Sequence, residues 1–139
     1  MKLRFAAAAV AGCATFAMTI SPAQADNVAS SPRASVIYCQ WLDDNGGPAV
    51  GMGCFDHVGD VITAEDRRSD GLRVVVETKY NYNRANDECH AAGGSGTTKV
   101  CNYNMKESGK VSFRVLTRNG ANGANVHTGA WGPWNNISG

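Results

Sequence analysis

The sequence predicts an all-β domain, an antiparallel β-sandwich of about seven short strands with two disulfides. Three observations predict it. The longer segments alternate apolar and polar residues with period two, turn-forming glycine and asparagine clusters separate them, and no segment has apolar periodicity over a helical length. Four cysteines that follow the amino-terminal apolar segment supply the disulfides. A small β-barrel is the alternative architecture.

The first three predicted strands are Val36 to Leu42, Ala49 to Phe55 and Val58 to Ala64. The run Asp44-Asn45-Gly46-Gly47-Pro48 separates the first two, and it is rich in the residues that turns require. We therefore expect the first two strands to form a hairpin.

The fourth predicted strand, Leu72 to Tyr82, follows the turn Ser69-Asp70-Gly71 and has the clearest alternation. Its even-numbered residues are leucine, valine, threonine and tyrosine, whereas its charged residues all take odd positions. Because successive side chains of a strand point to opposite faces, this pattern predicts one buried and one solvated face.

Three more strands are predicted in the last third of the chain: Lys99 to Asn104, Lys110 to Arg118 and Asn125 to Trp131. The run Gly93-Gly94-Ser95-Gly96 precedes the first of them. In Lys110 to Arg118 the alternation is again regular, with valine and phenylalanine on one side and basic residues or serine on the other.

The amino-terminal segment has the three parts of a secretion signal. Lys2 and Arg4 precede an apolar stretch from Phe5 to Ile20, and Ala23-Gln24-Ala25 matches the A-x-A pattern of signal-peptidase sites. We therefore expect residues 1–25 to be a signal peptide and the protein to be secreted.

The rest of the chain is expected to hold a flexible lead-in at residues 26–34 and one β-domain at residues 35–139, a length typical of one domain. A lipid anchor at Cys13 is the alternative localisation, since Val10-Ala11-Gly12-Cys13 matches a bacterial lipobox. No other segment approaches the roughly 20 apolar residues of a membrane span.

The charge balance excludes some partners. The chain has 13 basic and 12 acidic side chains, and without Lys2 and Arg4 the acidic residues exceed the basic ones by one. Nucleic-acid binding normally requires a basic stripe, so no nucleic-acid partner is expected. An extracellular protein or glycan remains as the partner class.

Cys39, Cys54, Cys89 and Cys101 can pair in three ways. Pairing Cys39 with Cys54 and Cys89 with Cys101 is preferred, because each pair brackets a glycine-rich turn that brings neighbouring strands together. Their spacings are far longer than the C-x(2-4)-C pattern of structural zinc sites. The sequence therefore predicts no metal and no cofactor.

No catalytic motif is apparent, and we expect no enzymatic activity. Asp56-His57 and Cys89-His90 are adjacent pairs, but neighbouring residues on a strand point to opposite faces. The chain lacks a G-x-S-x-G nucleophile elbow. Paired acidic residues lie at predicted turns or strand ends, where they solvate the backbone, and calcium bound by Asp43, Asp44 and Asn45 is the alternative.

Aromatic residues are the better candidates for a binding surface. Trp131-Gly132-Pro133-Trp134 places two indoles close together, and burying both is awkward on such a segment. Trp131 is expected to end the last strand and reach the core, whereas Trp134 fits either core or surface. Tyr80 and Tyr82 are expected to line a shallow groove beyond the core edge. Trp41, close to Cys39, is expected in the core.

Several short motifs, separated by predicted turns and strands, lie between Val58 and Trp131. They are Gly59-Asp60, Asp66, Asp70-Gly71, Gly94-Ser95-Gly96-Thr97 with Lys99, Cys101-Asn102-Tyr103-Asn104-Met105, Val111 and Phe113-Arg114. This region resembles a group of small secreted actinobacterial proteins of unassigned function. The resemblance implies a compact exported β-domain and implies no activity. Members often carry another cysteine pair near the strand that holds Leu116, whereas this chain places two cysteines earlier.

The segment Cys39-Gln40-Trp41-Leu42-Asp43 with Cys54 also resembles the disulfide hairpin of neocarzinostatin-type apoproteins, although the strands expected before Cys39 are missing.

Two functions remain open. The first is a secreted, non-enzymatic binding or interaction module. The second is an inhibitor of extracellular proteases that presents the loop from Glu88 to Val100, since a disulfide holds that loop in a fixed shape.

Overall fold

The computed structural model describes residues 34–138. The predicted signal peptide, with Cys13, lies outside the described residues, as does the predicted lead-in up to Arg33. Over the described range the chain forms nine strands: β1 Ile37–Asp43, β2 Ala49–Asp56, β3 Val61–Asp66, β4 Arg73–Tyr80, β5 Glu88–Ala91, β6 Thr98–Asn102, β7 Lys110–Arg118, β8 Asn125–Thr128 and β9 Asn135–Asn136. No helix that could cross a membrane occurs between residues 34 and 138.

The strands form two antiparallel sheets. Sheet A has the order β1-β2-β3-β6, and sheet B has the order β5-β4-β7-β8, with β9 paired to the start of β7. The sheets do not close on each other as a barrel. The predicted β-sandwich is confirmed, and the barrel alternative is wrong.

Each of the seven predicted strands has a counterpart, and two short strands were not predicted. Strand β5 has four residues and β9 has two, too few to show alternation. The predicted strand Val58–Ala64 begins only at Val61, because Gly59 and Asp60 form a turn with positive φ. The predicted strand Asn125–Trp131 ends at Thr128.

The core lies between the sheets and is built from the inward faces that alternation predicts. Its largest fully buried apolar side chains include Phe55 and Ile62 of sheet A and Phe113 of sheet B. From β4, Val74, Val76 and Thr78 point into this space and are fully buried. The even-numbered face predicted for the fourth strand is therefore the inner face.

Two glycines of β2 set the distance between the sheets. Gly51 and Gly53 face inward, opposite Val74 and Val76 of β4. A Cβ on Gly53 would lie 2.6 Å from Val76 Cγ2 and 2.9 Å from Val115 Cγ2, closer than real Cβ contacts. Without side chains, these positions let the valines pack directly on the β2 backbone.

Both preferred disulfides are confirmed, and they have different surroundings. Cys39–Cys54 joins directly opposite residues of β1 and β2 within sheet A, and Cys39 is exposed on the outer face. Cys89–Cys101 joins β5 of sheet B to β6 of sheet A, and Cys89 is fully buried. Only the second bond links the two layers covalently.

Gly53→Ala should lower the free energy of unfolding by about 1–3 kcal/mol, because the new methyl group overpacks the contact between the sheets. Urea denaturation measures this change. The matched variant is G53A/V76A, which removes the Val76 methyl groups, including the one nearest the new Cβ. Its destabilisation should be smaller than the sum of the two single effects, and strict additivity would contradict the steric explanation.

Dithiothreitol under native conditions should reduce Cys39–Cys54 before Cys89–Cys101, because a thiolate must reach a sulfur atom to attack it. Timed alkylation followed by mass spectrometry distinguishes the two pairs. In denaturing urea the two disulfides should be reduced at similar rates, since both bonds are then accessible. Earlier loss of Cys89–Cys101 in the native protein would contradict the burial of Cys89.

Candidate binding surface

The segment between β8 and β9 follows the edge of β7 and positions two tryptophans. Gly129 N–H donates to the Val115 carbonyl at 2.8 Å, and Gly132 N–H donates to the Phe113 carbonyl at 3.0 Å. Strand β9 then pairs with Lys110 and Val111. These hydrogen bonds fix the backbone on both sides of Trp131.

Gly132 is required because a side chain from sheet A crosses at this point. Gln40 of β1 reaches across the sandwich, and its Nε2 donates to the Phe113 carbonyl at 3.0 Å. A Cβ on Gly132 would overlap the Gln40 side chain. On the other side, Ser112 Oγ donates to the Gly132 carbonyl at 2.8 Å. The tryptophan-bearing segment is therefore hydrogen-bonded to sheet B and packed against Gln40 of sheet A.

Two basic side chains of sheet B contact the indoles. Lys79 Nζ lies 4.3 Å from the Trp131 ring centroid and 5.3 Å from the Trp134 ring centroid. The Arg114 guanidinium carbon lies 4.6 Å from the Trp131 ring centroid. Trp131 is half-buried and Trp134 is 46% exposed. We call Lys79, Arg114, Trp131 and Trp134 the tryptophan–cation cluster.

The two cations of the cluster differ in their acidic partners. Arg114 forms a short ion pair with Glu77, its cross-strand neighbour, at 2.6 Å between Nη2 and Oε2. Lys79 has no carboxylate within ion-pair distance among residues 34–138. An ammonium group that contacts aromatic faces and has no counter-ion can bind an anionic group of a ligand.

The sequence predicted that Trp131 reaches the core. In the structure it does not. It lies on the outer side of sheet B against Lys79 and Arg114, and it does not belong to the buried apolar cluster. The reason is that the strand ends three residues earlier, so the alternation that would have turned Trp131 inward does not extend to it.

Tyr80, the last residue of β4, and Tyr82, which follows the strand, lie apart from the cluster. Both rings pack against the core, with their centroids 5.3 Å apart. Tyr80 Oη donates to Asp87 Oδ2 at 2.7 Å, and Tyr82 Oη accepts from the Lys106 N–H at 3.0 Å. Burial raises the pKa of Tyr80. The structure therefore uses both hydroxyls internally, and the tyrosine groove stays a prediction.

The expectation that Trp41 lies in the core is also wrong. Trp41 is 50% exposed on the outer face of sheet A, with the Arg67 guanidinium carbon 4.6 Å from its ring centroid. Its neighbour Leu42 is buried instead. Both faces of β1 carry large apolar residues, so alternation alone did not identify the inner one.

The histidines are occupied by contacts that give no catalytic pair. His57 Nε2 accepts from the Val36 N–H at 3.3 Å, and His90 contacts Glu88 at 2.9 Å. His127 lies 3.8 Å from Asp44. Within the described range, no imidazole hydrogen-bonds to a hydroxyl or thiol group.

One candidate calcium ligand, Asp44, is already engaged within the protein. Asp44 Oδ2 accepts from Arg68 at 2.9 Å, and this hydrogen bond lowers the pKa of Asp44. Asn45 belongs to a tight turn with positive φ. Across residues 34–138, no group of three or more His, Cys, Asp or Glu side chains is arranged to hold a metal ion.

The segment from Glu88 to Val100 is mostly strand, and only residues 92–97 form a loop. Gly96 N–H donates to the Asp66 carbonyl at 2.7 Å, and Asp66 N–H donates to the Thr97 carbonyl at 2.9 Å. The loop is therefore a short turn held against the end of β3. It does not offer an extended, projecting segment to a protease cleft.

A polar cleft of about 420 Å³ lies at the other end of β4 from the tryptophan–cation cluster. Arg68, Arg73, Gly94, Ser95 and Asn119 are among its lining residues. Arg68 is already paired with Asp44. The cleft is thus separate from the cluster, and one of its two arginines is neutralised within the protein.

A scan against protein-family models, a search of curated proteins and a search of solved structures each found no match. The resemblance to secreted actinobacterial proteins therefore stays a prediction. The candidate surface rests on the geometry of this chain alone.

Trp131→Ala should lower the free energy of unfolding by about 2 kcal/mol, because two cation contacts and a half-buried ring are lost. Trp134→Ala removes a more exposed ring with one, longer cation contact, and it should cost less than about 1 kcal/mol. Thermal or urea unfolding compares the two. Equal destabilisation would contradict the difference in burial between the two indoles.

Proposed function

We propose that this chain is a secreted, non-enzymatic binding module that captures an extracellular ligand through the tryptophan–cation cluster. One observation carries the proposal: the exposed Trp134 indole lies beside the Lys79 ammonium, which has no acidic partner among residues 34–138. Tryptophan contributes a large apolar area with little loss of rotamer entropy, and it is enriched where binding energy concentrates.

The chemistry of the cluster favours a ligand with a flat apolar face beside a carboxylate. The indole of Trp134 offers a planar surface on which the C–H face of a sugar ring can stack. Lys79 can donate hydrogen bonds to an adjacent carboxylate, and these charge-assisted bonds are stronger than neutral ones. A glycan that contains uronic acid combines both groups, and we propose it as the ligand class.

The anchoring of the cluster supports binding rather than catalysis. Hydrogen bonds to Phe113 and Ser112 hold the backbone at Gly132, and Lys79 and Arg114 come from two paired strands of sheet B. A surface that is already ordered loses little conformational entropy when a ligand binds. The cluster contains no hydroxyl, thiol, imidazole or carboxylate group, and the proposal includes no chemical step.

Trp134→Ala should weaken the binding of oligogalacturonate at least about tenfold, which corresponds to ~1.4 kcal/mol. Isothermal titration calorimetry at low ionic strength measures the affinity. Trp41→Ala is the matched control, because it removes an equally exposed indole from the opposite face of the sandwich. Lys79→Gln should weaken binding and reduce its salt dependence, since one charge contact is lost.

A neutral oligosaccharide of similar length separates stacking from charge recognition. It should bind more weakly than oligogalacturonate to the unmodified protein, and Lys79→Gln should not change its affinity. If W134A and W41A bind oligogalacturonate equally well, the cluster is not the binding surface. If the unmodified protein does not bind the acidic glycan at millimolar concentration, the proposed ligand class is wrong.

A further inference from the structure

Strand β1 is an edge of sheet A that lacks the usual protection against pairing with another chain. It has seven residues, and no charged residue or proline occurs from Ile37 to Leu42. The other edges are shorter or charged. Strand β6 contains Lys99, β5 has four residues including Glu88 and His90, and β8 has four residues and a register shift. Exposed, uncharged edge strands are templates for intermolecular pairing.

The register with β2 shows which backbone groups of β1 are free. Cys39 and Cys54 lie directly opposite each other with a Cα–Cα distance of 4.1 Å, which is typical of a non-hydrogen-bonded antiparallel pair. The N–H and C=O groups of Cys39 therefore point away from β2. Because this direction alternates along a strand, the same holds for Ile37 and Trp41.

The side chains of these residues add an apolar surface beside the free backbone groups. Ile37 is 58% exposed and Trp41 is 50% exposed. Both lie on the outer face of sheet A, on either side of the exposed Cys39. The residues that can extend the hydrogen-bond ladder thus also carry the exposed apolar groups.

We propose that two copies of this chain pair through their β1 strands, antiparallel and centred on Cys39. In this register the Cys39 residues of the two copies form a hydrogen-bonded pair. Ile37 of each copy then lies opposite Trp41 of the other, on the same face of the sheet. Aromatic and β-branched residues are favourable cross-strand neighbours. The two copies of sheet A become one continuous eight-stranded sheet.

Charges next to the apolar pairs are complementary in this register. Asp56 is the partner of Ile37 on β2, and Arg67 stacks on Trp41. Pairing Ile37 with Trp41 of the second copy brings Asp56 of one copy towards Arg67 of the other, which is also ion-paired with Glu65 of its own chain at 2.8 Å. Because the arrangement is two-fold symmetric, the same attraction occurs twice.

The inner side of β1 has space for the side chains of a second copy. A cavity of about 270 Å³ runs beside the strand and is lined by Tyr38, Gln40, Phe113 and Pro133, among others. The register places Tyr38 of each copy opposite Gln40 of the other.

An interface of one strand per copy buries less than the roughly 1,200 Å² of standard interfaces, so we expect a reversible dimer with a micromolar dissociation constant.

Sedimentation equilibrium tests the proposal on protein recovered from an oxidising host compartment with both disulfides formed. The unmodified protein should show a concentration-dependent monomer–dimer equilibrium. Ile37→Lys should raise the dissociation constant at least about tenfold, because edge lysines oppose strand pairing. Val100→Lys is the matched control: Val100 is 60% exposed on the same face, but on the far edge strand β6, and its variant should dimerise normally. Circular dichroism and disulfide mapping show that each variant is folded.

A charge-complementation experiment tests the register. I37K and W41E should each be monomeric alone, whereas a mixture should form a heterodimer in which the introduced lysine faces the introduced glutamate. Failure of the mixture to associate while both variants are folded would overturn the proposed pairing. The proposal is also wrong if the unmodified protein stays monomeric at millimolar concentration, or if V100K abolishes the dimer as I37K does.

Discussion

The direct contact of two β-sheets across Gly51 and Gly53 is the constraint on which the rest of the structure depends. Strand β2 presents backbone, without side chains, to the valines of β4, so the layers approach closely along their centre. The close approach allows Gln40 to span the sandwich and bond to β7. A domain of this size buries only a modest core, so such a contact is a large part of its stability. The Cys89–Cys101 bond joins the same layers covalently.

The inner faces of the strands with a regular period of two, such as β4 and β7, could be predicted from the sequence. The outer faces could not, because they depend on which strands are neighbours. Val75 and Leu116 point outward from sheet B, yet both are fully buried. Two ion pairs of long side chains, Arg114 with Glu77 and Arg118 with Glu88, lie on the same face, and the apolar stems of such side chains can cover buried residues. Alternation alone classes such positions as solvated.

Alternation also does not show which strands are neighbours around the aromatic residues, and this explains why the predictions for Trp41 and Trp131 were wrong. The tryptophan–cation cluster combines the segment after β8 with Lys79 and Arg114, which lie 35 positions apart in the sequence and become neighbours only through the register of β4 and β7. The sequence indicated the two tryptophans but not the cations beside them. For Trp41, both parities of β1 carry apolar residues, so only the position of sheet B determines which face is buried.

The two outer faces therefore differ in what they can do. Sheet B covers its outward apolar residues with ion pairs, and its exposed indole lies next to a cation, which suits a polar ligand that also has an apolar face. Sheet A leaves Ile37, Trp41 and Val100 exposed on its outer face, where one ion pair, Arg67 with Glu65, lies beside Trp41. Burying these residues gains free energy only if the partner supplies apolar side chains and satisfies the free backbone groups of the edge. An extended polypeptide meets both conditions at β1. The proposed division into one ligand-binding face and one chain-pairing edge thus rests on the polar groups that each surface already satisfies.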